Sequence, residues 1–183
     1  VDDMAVPAST REPILAGAWY TDDPDELRAD VLGYLDQATP APGLVERPLA
    51  LVAPHAGHSY SGVTAGWAYQ AVRGAQLRRV FVLAPSHRAR LFGAAASSAS
   101  AWTTPLGSIP VDTELCRSLA DSGALVLDDK PHQREHAIEI QLPLLQVALA
   151  PGWKLVPIVL GQMDAAECRA LARALLPHLG PDD

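Results

Sequence analysis

Two histidines in this chain follow apolar runs that close on a proline. VAPHAGHSYSG, residues 52–62, carries His55 directly after Pro54, and LAPSHR, residues 83–88, carries His87 two residues after Pro85. Proline fixes φ and withdraws a donor from strand pairing, so each histidine stands on a rigid exit from an apolar segment. In open α/β sheets ligands gather beyond the carboxyl ends of strands. Two imidazoles there suit one divalent transition metal, iron, zinc or copper, with a third ligand from elsewhere. Nitrogens sharing such an ion would lie about 3 to 3.5 Å apart. The plainer alternative, histidines that only satisfy neighbouring backbone groups, is weakened by the repetition of the pattern. His58 is a further candidate catalytic residue, the plain alternative being that it only lines the loop or caps the helix that follows.

A third cluster is REHAIEIQLPLL at 134–145. On a helix, Glu135 and Glu139 are four apart and His136 and Glu139 three apart, so they share a flank, while Ile138, Leu142 and Leu145 form an apolar one. Pro143 deletes the bond to the Glu139 carbonyl and predicts a bend. The plain alternative is an amphipathic helix whose acids favour its N-terminus. His132 and His178 read as surface residues. Ser86 beside His87 makes no triad, since adjacent residues do not set nucleophile and base face to face and no G-x-S-x-G elbow is present.

The elements that must position these residues follow from periodicity. Residues 1–13 read as an extended arm. Asp23 can cap a helix over 24–37 with Pro24 at its first position and Leu27, Val31, Leu32 and Leu35 inward, and QATPAPG at 37–43 closes it. PLALVAP at 48–54 and RRVFVLAP at 78–85 are short continuous apolar runs typical of strands buried on both faces. The helix between them, 61–72, would turn Val63, Trp67 and Val72 inward, completing a right-handed βαβ unit. A short strand near 94–98, helices over 112–122 and 135–150, a strand over 153–161 and a helix over 164–179 complete the reading. The expected fold class is α/β, a largely parallel central sheet flanked by helices.

At 183 residues with 49% hydrophobic side chains the chain has material for a single domain spanning 1–183. Fourteen basic against 21 acidic residues give a charge of −7, which argues against a nucleic-acid footprint. Cys116 and Cys168 have no zinc-ribbon or CxxC spacing, and no apolar run reaches the roughly 20 residues a membrane helix needs. The expectation is a soluble cytoplasmic protein with neither nucleic acid nor membrane as partner.

Taken in order, REPILAGAWYTDDPDEL, APHAGHSYSG, VFVLAPSH, the TPLG at 104–107 and EHAIEIQLPLL resemble the Memo-like family, also called AmmeMemoRadiSam system protein B. The resemblance implies a fold similar to class III extradiol dioxygenases and a metal site with two histidines. His55 in PHAG and His87 in PSH match the first two family ligands, while Glu135, His136 and Glu139 match the EHxxE segment lining the same pocket. His58 stands where tyrosine is usual in PHAGY, and Arg88 where histidine is common after PSH. Family members run on beyond the point where this chain stops, through an SSD-x-SH segment and a late cysteine or carboxylate ligand that Cys168 does not match, so the fold would be shortened at its C-terminus. The implied function is a non-haem iron enzyme, with Fe(II), or else copper or zinc, on His55 and His87, a small-molecule substrate, and His136 or Glu139 shuttling protons. The alternative is a metal-binding or interaction module without turnover. A sheet missing its neighbours would form a homo-oligomer or pair with a separate C-terminal partner. Otherwise the helix at 164–179, with Cys168, Leu171, Leu175 and Leu179 on one stripe, would fold back over it.

Overall fold

The computed structural model describes residues 9–39 and 47–183. The start of the arm expected over 1–13 and part of the loop expected over 37–43 therefore lie outside the described residues. Helix α1 (Pro24–Asp36) opens as its sequence dictates, with the Asp23 carboxylate accepting from the amides of Asp25 and Glu26 and with Leu27, Val31 and Leu35 buried. Helix α2 (His58–Gln70) begins earlier than expected and turns a different face inward. Ser61, Gly62, Ala65, Gly66 and Tyr69 are buried, whereas Val63 and Trp67 are exposed. The reason is close approach: a Cβ on Gly62 would strike the Tyr34 ring, and one on Gly66 the Tyr34 carbonyl, so the glycine face alone lets α1 lie against α2. Gly66→Ala should cost roughly 1–3 kcal/mol as overpacking against backbone that cannot swing aside. A urea midpoint equal to that of the wild type would refute this close packing.

Strands β2 (Arg79–Pro85) and β7 (Lys154–Leu160) run parallel, from Arg79 opposite Lys154 to Pro85 opposite Leu160. β3 (Ala94–Ala96) adds antiparallel to β7 and β6 (Val126–Leu127) parallel to β3, giving the sheet order β2-β7-β3-β6. A second sheet, ordered β1-β4-β5, joins β1 (Thr10–Arg11), β4 (Ala101–Thr104) and β5 (Gly107–Pro110). Gly107, at φ 117°, closes the turn between β4 and β5 in a region closed to most side chains. Helix α3 (Thr113–Asp121) is capped by Asp112, α4 (Lys130–Gln133) is short, and α6 (Ala165–Leu175) starts on an Asp164/Glu167 capping box. The chain is thus α/β, with two sheets and flanking helices, and its core centres on Leu155, Val156, Ile158 and Val159 of β7. Among the described residues no helix is long and apolar enough to cross a membrane.

Several expectations are corrected. Residues 48–54 form no ladder strand: the segment faces β2 across a groove, and without a hydrogen-bonded neighbour an apolar run is not a strand. The helix expected over 135–150 is a turn followed by a 3₁₀ stretch (Glu139–Gln141) and α5 (Leu142–Ala148). The Glu135 side chain accepts from the amides of His136 and Ala137, which satisfies these donors without a helical turn. Pro143 lies in the first turn of α5, where its missing N–H has no helical partner to lose, so it starts the helix instead of bending it. On α6, Leu171 and Leu175 are buried but Cys168 is exposed, so the stripe covers less than its spacing suggested.

Candidate metal centre

His55 ends the 48–54 segment, His87 lies two residues beyond β2, and His136 sits in the turn before α5. The three converge near the carboxyl end of β2, with one nitrogen from each ring within 4.8 Å of the others. The His87 ring stacks on His136 with centroids 4.4 Å apart, and His55 lies 5.2 Å from His87 and 5.9 Å from His136. Trp19 packs against His136, tilted, with centroids 4.6 Å apart. His87 is open to solvent while His136 is mostly enclosed.

Glu135 orders this cluster. One carboxylate oxygen accepts the His87 backbone N–H at 2.5 Å, and the other lies 2.9 Å from His87 Nδ1 while accepting the amides of His136 and Ala137. Burial pushes the carboxyl upward, but the bonds from His87, Ala137 and His136 outweigh it and hold the pKa at about 2. An anionic Glu135 fixes the proton of a neutral His87 on Nδ1 and leaves the Nε2 lone pair free, which is how a carboxylate behind a ligating histidine acts. His136 Nδ1 lies 3.2 Å from Glu135 Oε1 without the alignment of a hydrogen bond, so it is buried and without a partner. Burial lowers the His136 pKa, Glu135 opposes this, and the neighbouring His87 and His55 add to the lowering. The ring is thereby kept in the neutral form that can donate to a cation. Three borderline nitrogen donors fit iron, copper or zinc better than a hard cation that wants oxygen ligands.

The remaining site candidates point elsewhere. Glu139 is fully buried and pairs with Arg11 Nη1 at 2.5 Å. Its oxygens also accept from the amides of Ile14 and Leu15 and from the Tyr20 hydroxyl. It therefore ties the segment after β1 onto the 3₁₀ stretch before α5. His58, at the start of α2, bonds through Nε2 to the Ile140 carbonyl at 3.0 Å and packs between Tyr20 and Tyr34. Sequence reasoning overlooked Arg11, Trp19 and Tyr20. The available signal was a lone arginine opening the apolar stretch that leads to Trp19 and Tyr20, since a cation buried there needs a carboxylate.

His132 is a further correction: read as a surface residue, it is buried edge-on against Trp102, with neither ring nitrogen hydrogen-bonded. Burial pushes its pKa down to about 4, and the Asp129 charge offsets this only in part. The unfolded chain, with an ordinary value near 6.5, binds this proton first. Stability should therefore fall as pH drops from about 6.5 to 4, by up to roughly 3 kcal/mol from this residue. Urea midpoints at pH 7 and pH 4.5 measure the loss, and His132→Gln should flatten the slope. A variant as acid-sensitive as the wild type would assign the loss to other groups.

Fold and cluster together define a mixed α/β protein with a candidate three-histidine metal centre at the carboxyl end of a parallel strand pair. The chain belongs to the Memo-like family, whose model, described as Memo-like protein, matches residues 11–179. It is 32% identical over 167 residues to a MEMO1 family protein of Thermoplasma volcanium, covering 91% of this chain and 61% of that one. It is 35% identical over 159 residues to the memo-1 homolog of Caenorhabditis elegans, covering 86% and 45%. With Protein MEMO1 of Danio rerio the identity is 32% over 173 residues, covering 92% and 57%. The chain thus spans about half to three fifths of the length of these relatives.

Proposed function

We propose that this chain binds one divalent transition metal through His55, His87 and His136 and serves redox chemistry of the non-haem kind on a small-molecule substrate. The observation that carries the reading is the convergence of three imidazole nitrogens within 4.8 Å from segments far apart in sequence. Three neutral donors leave further coordination positions open, and iron or copper bound there would supply a Lewis acid and a one-electron couple. Glu135 holds the His87 proton and the loop amides, which keeps the donor set in register. The Trp19 ring shields His136 from water on one side. The Memo-like membership agrees with a metal site built on His55 and His87.

A second reading, metal binding without turnover, is favoured by one observation: the carboxylate of Glu139 is saturated by the Arg11 pair and its other donors, so it is not free to move protons. Anaerobic titration of metal-free protein with Fe(II), Cu(II) and Zn(II) tests the shared part, with one ion per chain expected. No stoichiometric binding of any of them would reject both readings. Oxygen uptake by the iron-loaded protein with catechol-type substrates separates them: uptake supports redox turnover, and its absence supports the binding module.

A further inference from the structure

Beside β2 the sheet stops. The register with β7, the bond from the Lys154 amide to the Arg78 carbonyl and the bond from the Ser86 amide to the Leu160 carbonyl show that the even-numbered residues of β2 pair with β7. The N–H and C=O groups of Phe81 and Leu83 therefore point away from β7, and they have no partner among the described residues. They face an open groove whose opposite wall is the 48–54 segment, with Leu49, Leu51 and Ala53 among its lining. That segment also makes no ladder, and apolar side chains lining the groove are left in water: Leu49 is 86% exposed and Leu83 44%. An unpaired backbone edge beside an apolar slot is the arrangement an added strand completes.

Both walls run in the same direction. At the foot of the groove Arg47 donates to the Pro181 carbonyl, the Arg78 amide bonds to the Asp182 carbonyl, and the Asp183 carboxylate pairs with Arg78 and Arg79. At the head, His55 lines the groove within reach of His87. We infer that this groove is the acceptor for one extended, apolar polypeptide strand, which enters at the Pro181–Asp183 foot, runs parallel to β2 and ends beside His55 and His87. The occupant is a strand and not a small molecule, because the groove follows the seven residues of β2, about 23 Å at the rise of a parallel strand, and offers backbone groups along it. The relatives have the length to supply one, since the matched region is 61% of the Thermoplasma volcanium protein. The strand needs no metal to bind.

Amide hydrogen exchange in metal-free protein with chelator present tests this. The probes are capped heptapeptides alternating valine, isoleucine or leucine with threonine in both phases, and matching peptides N-methylated at every second residue. The free protein should be a monomer in which the Phe81 and Leu83 amides exchange freely. An unmethylated peptide should slow them at least tenfold, with the already paired Val82 amide unchanged and the methylated peptides without effect. No protection up to millimolar peptide, or equal protection by methylated peptides, overturns the inference. Slow exchange in the free protein together with dimeric mass in light scattering overturns it in favour of a second copy. Because metal is absent throughout, none of these outcomes bears on the metal site.

Discussion

Glu139→Ala is expected to remove about 3–5 kcal/mol of stability, because it strips one partner from a buried ion pair. The carboxylate is fully buried, and the Arg11 side chain is only 9% exposed. Without the acceptor, the Ile14 and Leu15 amides and the Tyr20 hydroxyl lose their partner as well, each at roughly 1–3 kcal/mol when no water replaces it. Arg11 remains stacked over Trp102 at 4.3 Å, so its charge stays in the interior with little to balance it. Against a total stability of about 5–15 kcal/mol, the alanine variant should be partly unfolded at room temperature. Glu139→Gln keeps the shape but sets an amide against a cluster of donors, so an intermediate loss is expected. Urea midpoints for the two variants decide, and a wild-type midpoint for alanine would show that the pair does not hold the N-terminal segment in place.

The second large effect concerns metal affinity. His55→Ala, His87→Ala and His136→Ala should each weaken binding of Zn(II) or Co(II) by more than a hundredfold, since loss of a ligand exceeds the roughly 10–100-fold cost of disturbing a residue behind one. Glu135→Gln belongs to that lesser class: the amide can still meet His87 Nδ1 but no longer fixes its proton by charge. His58→Ala should leave affinity unchanged, because its ring is spent on the Ile140 carbonyl. Competition against a chromophoric chelator measures all five. If His136→Ala binds as tightly as the wild type, the third donor lies elsewhere and the cluster is a pair.

Much of this site could be read from residue order, and what could not be read has identifiable causes. Pro54 and Pro85 marked the exits that carry His55 and His87, and the two rings do meet, although only one exit follows a ladder strand. Apolarity alone cannot distinguish a strand from an extended wall, because pairing is a property of the neighbour. His136 was legible as part of the pocket but not as the third donor, since its position depends on Glu135 drawing the local amides out of a helix. The inward face of α2 was misjudged because large apolar residues were assumed to be the buried ones, whereas α1 approaches over glycines. His132 shows the same limit: no spacing rule tells that a polar ring will be packed against Trp102.

The Glu135 carboxylate joins two loops 48 residues apart in sequence, one carrying His87 and the other His136. That latch consists entirely of protein groups, so the two loops are assembled before any ion arrives, unlike small zinc modules whose chain orders only when loaded. Metal exchange should then resemble docking of an ion into a finished socket, fast and with little change in amide protection. Prolonged treatment with chelator should leave the thermal transition cooperative, lowered by only what mass action on the bound ion contributes.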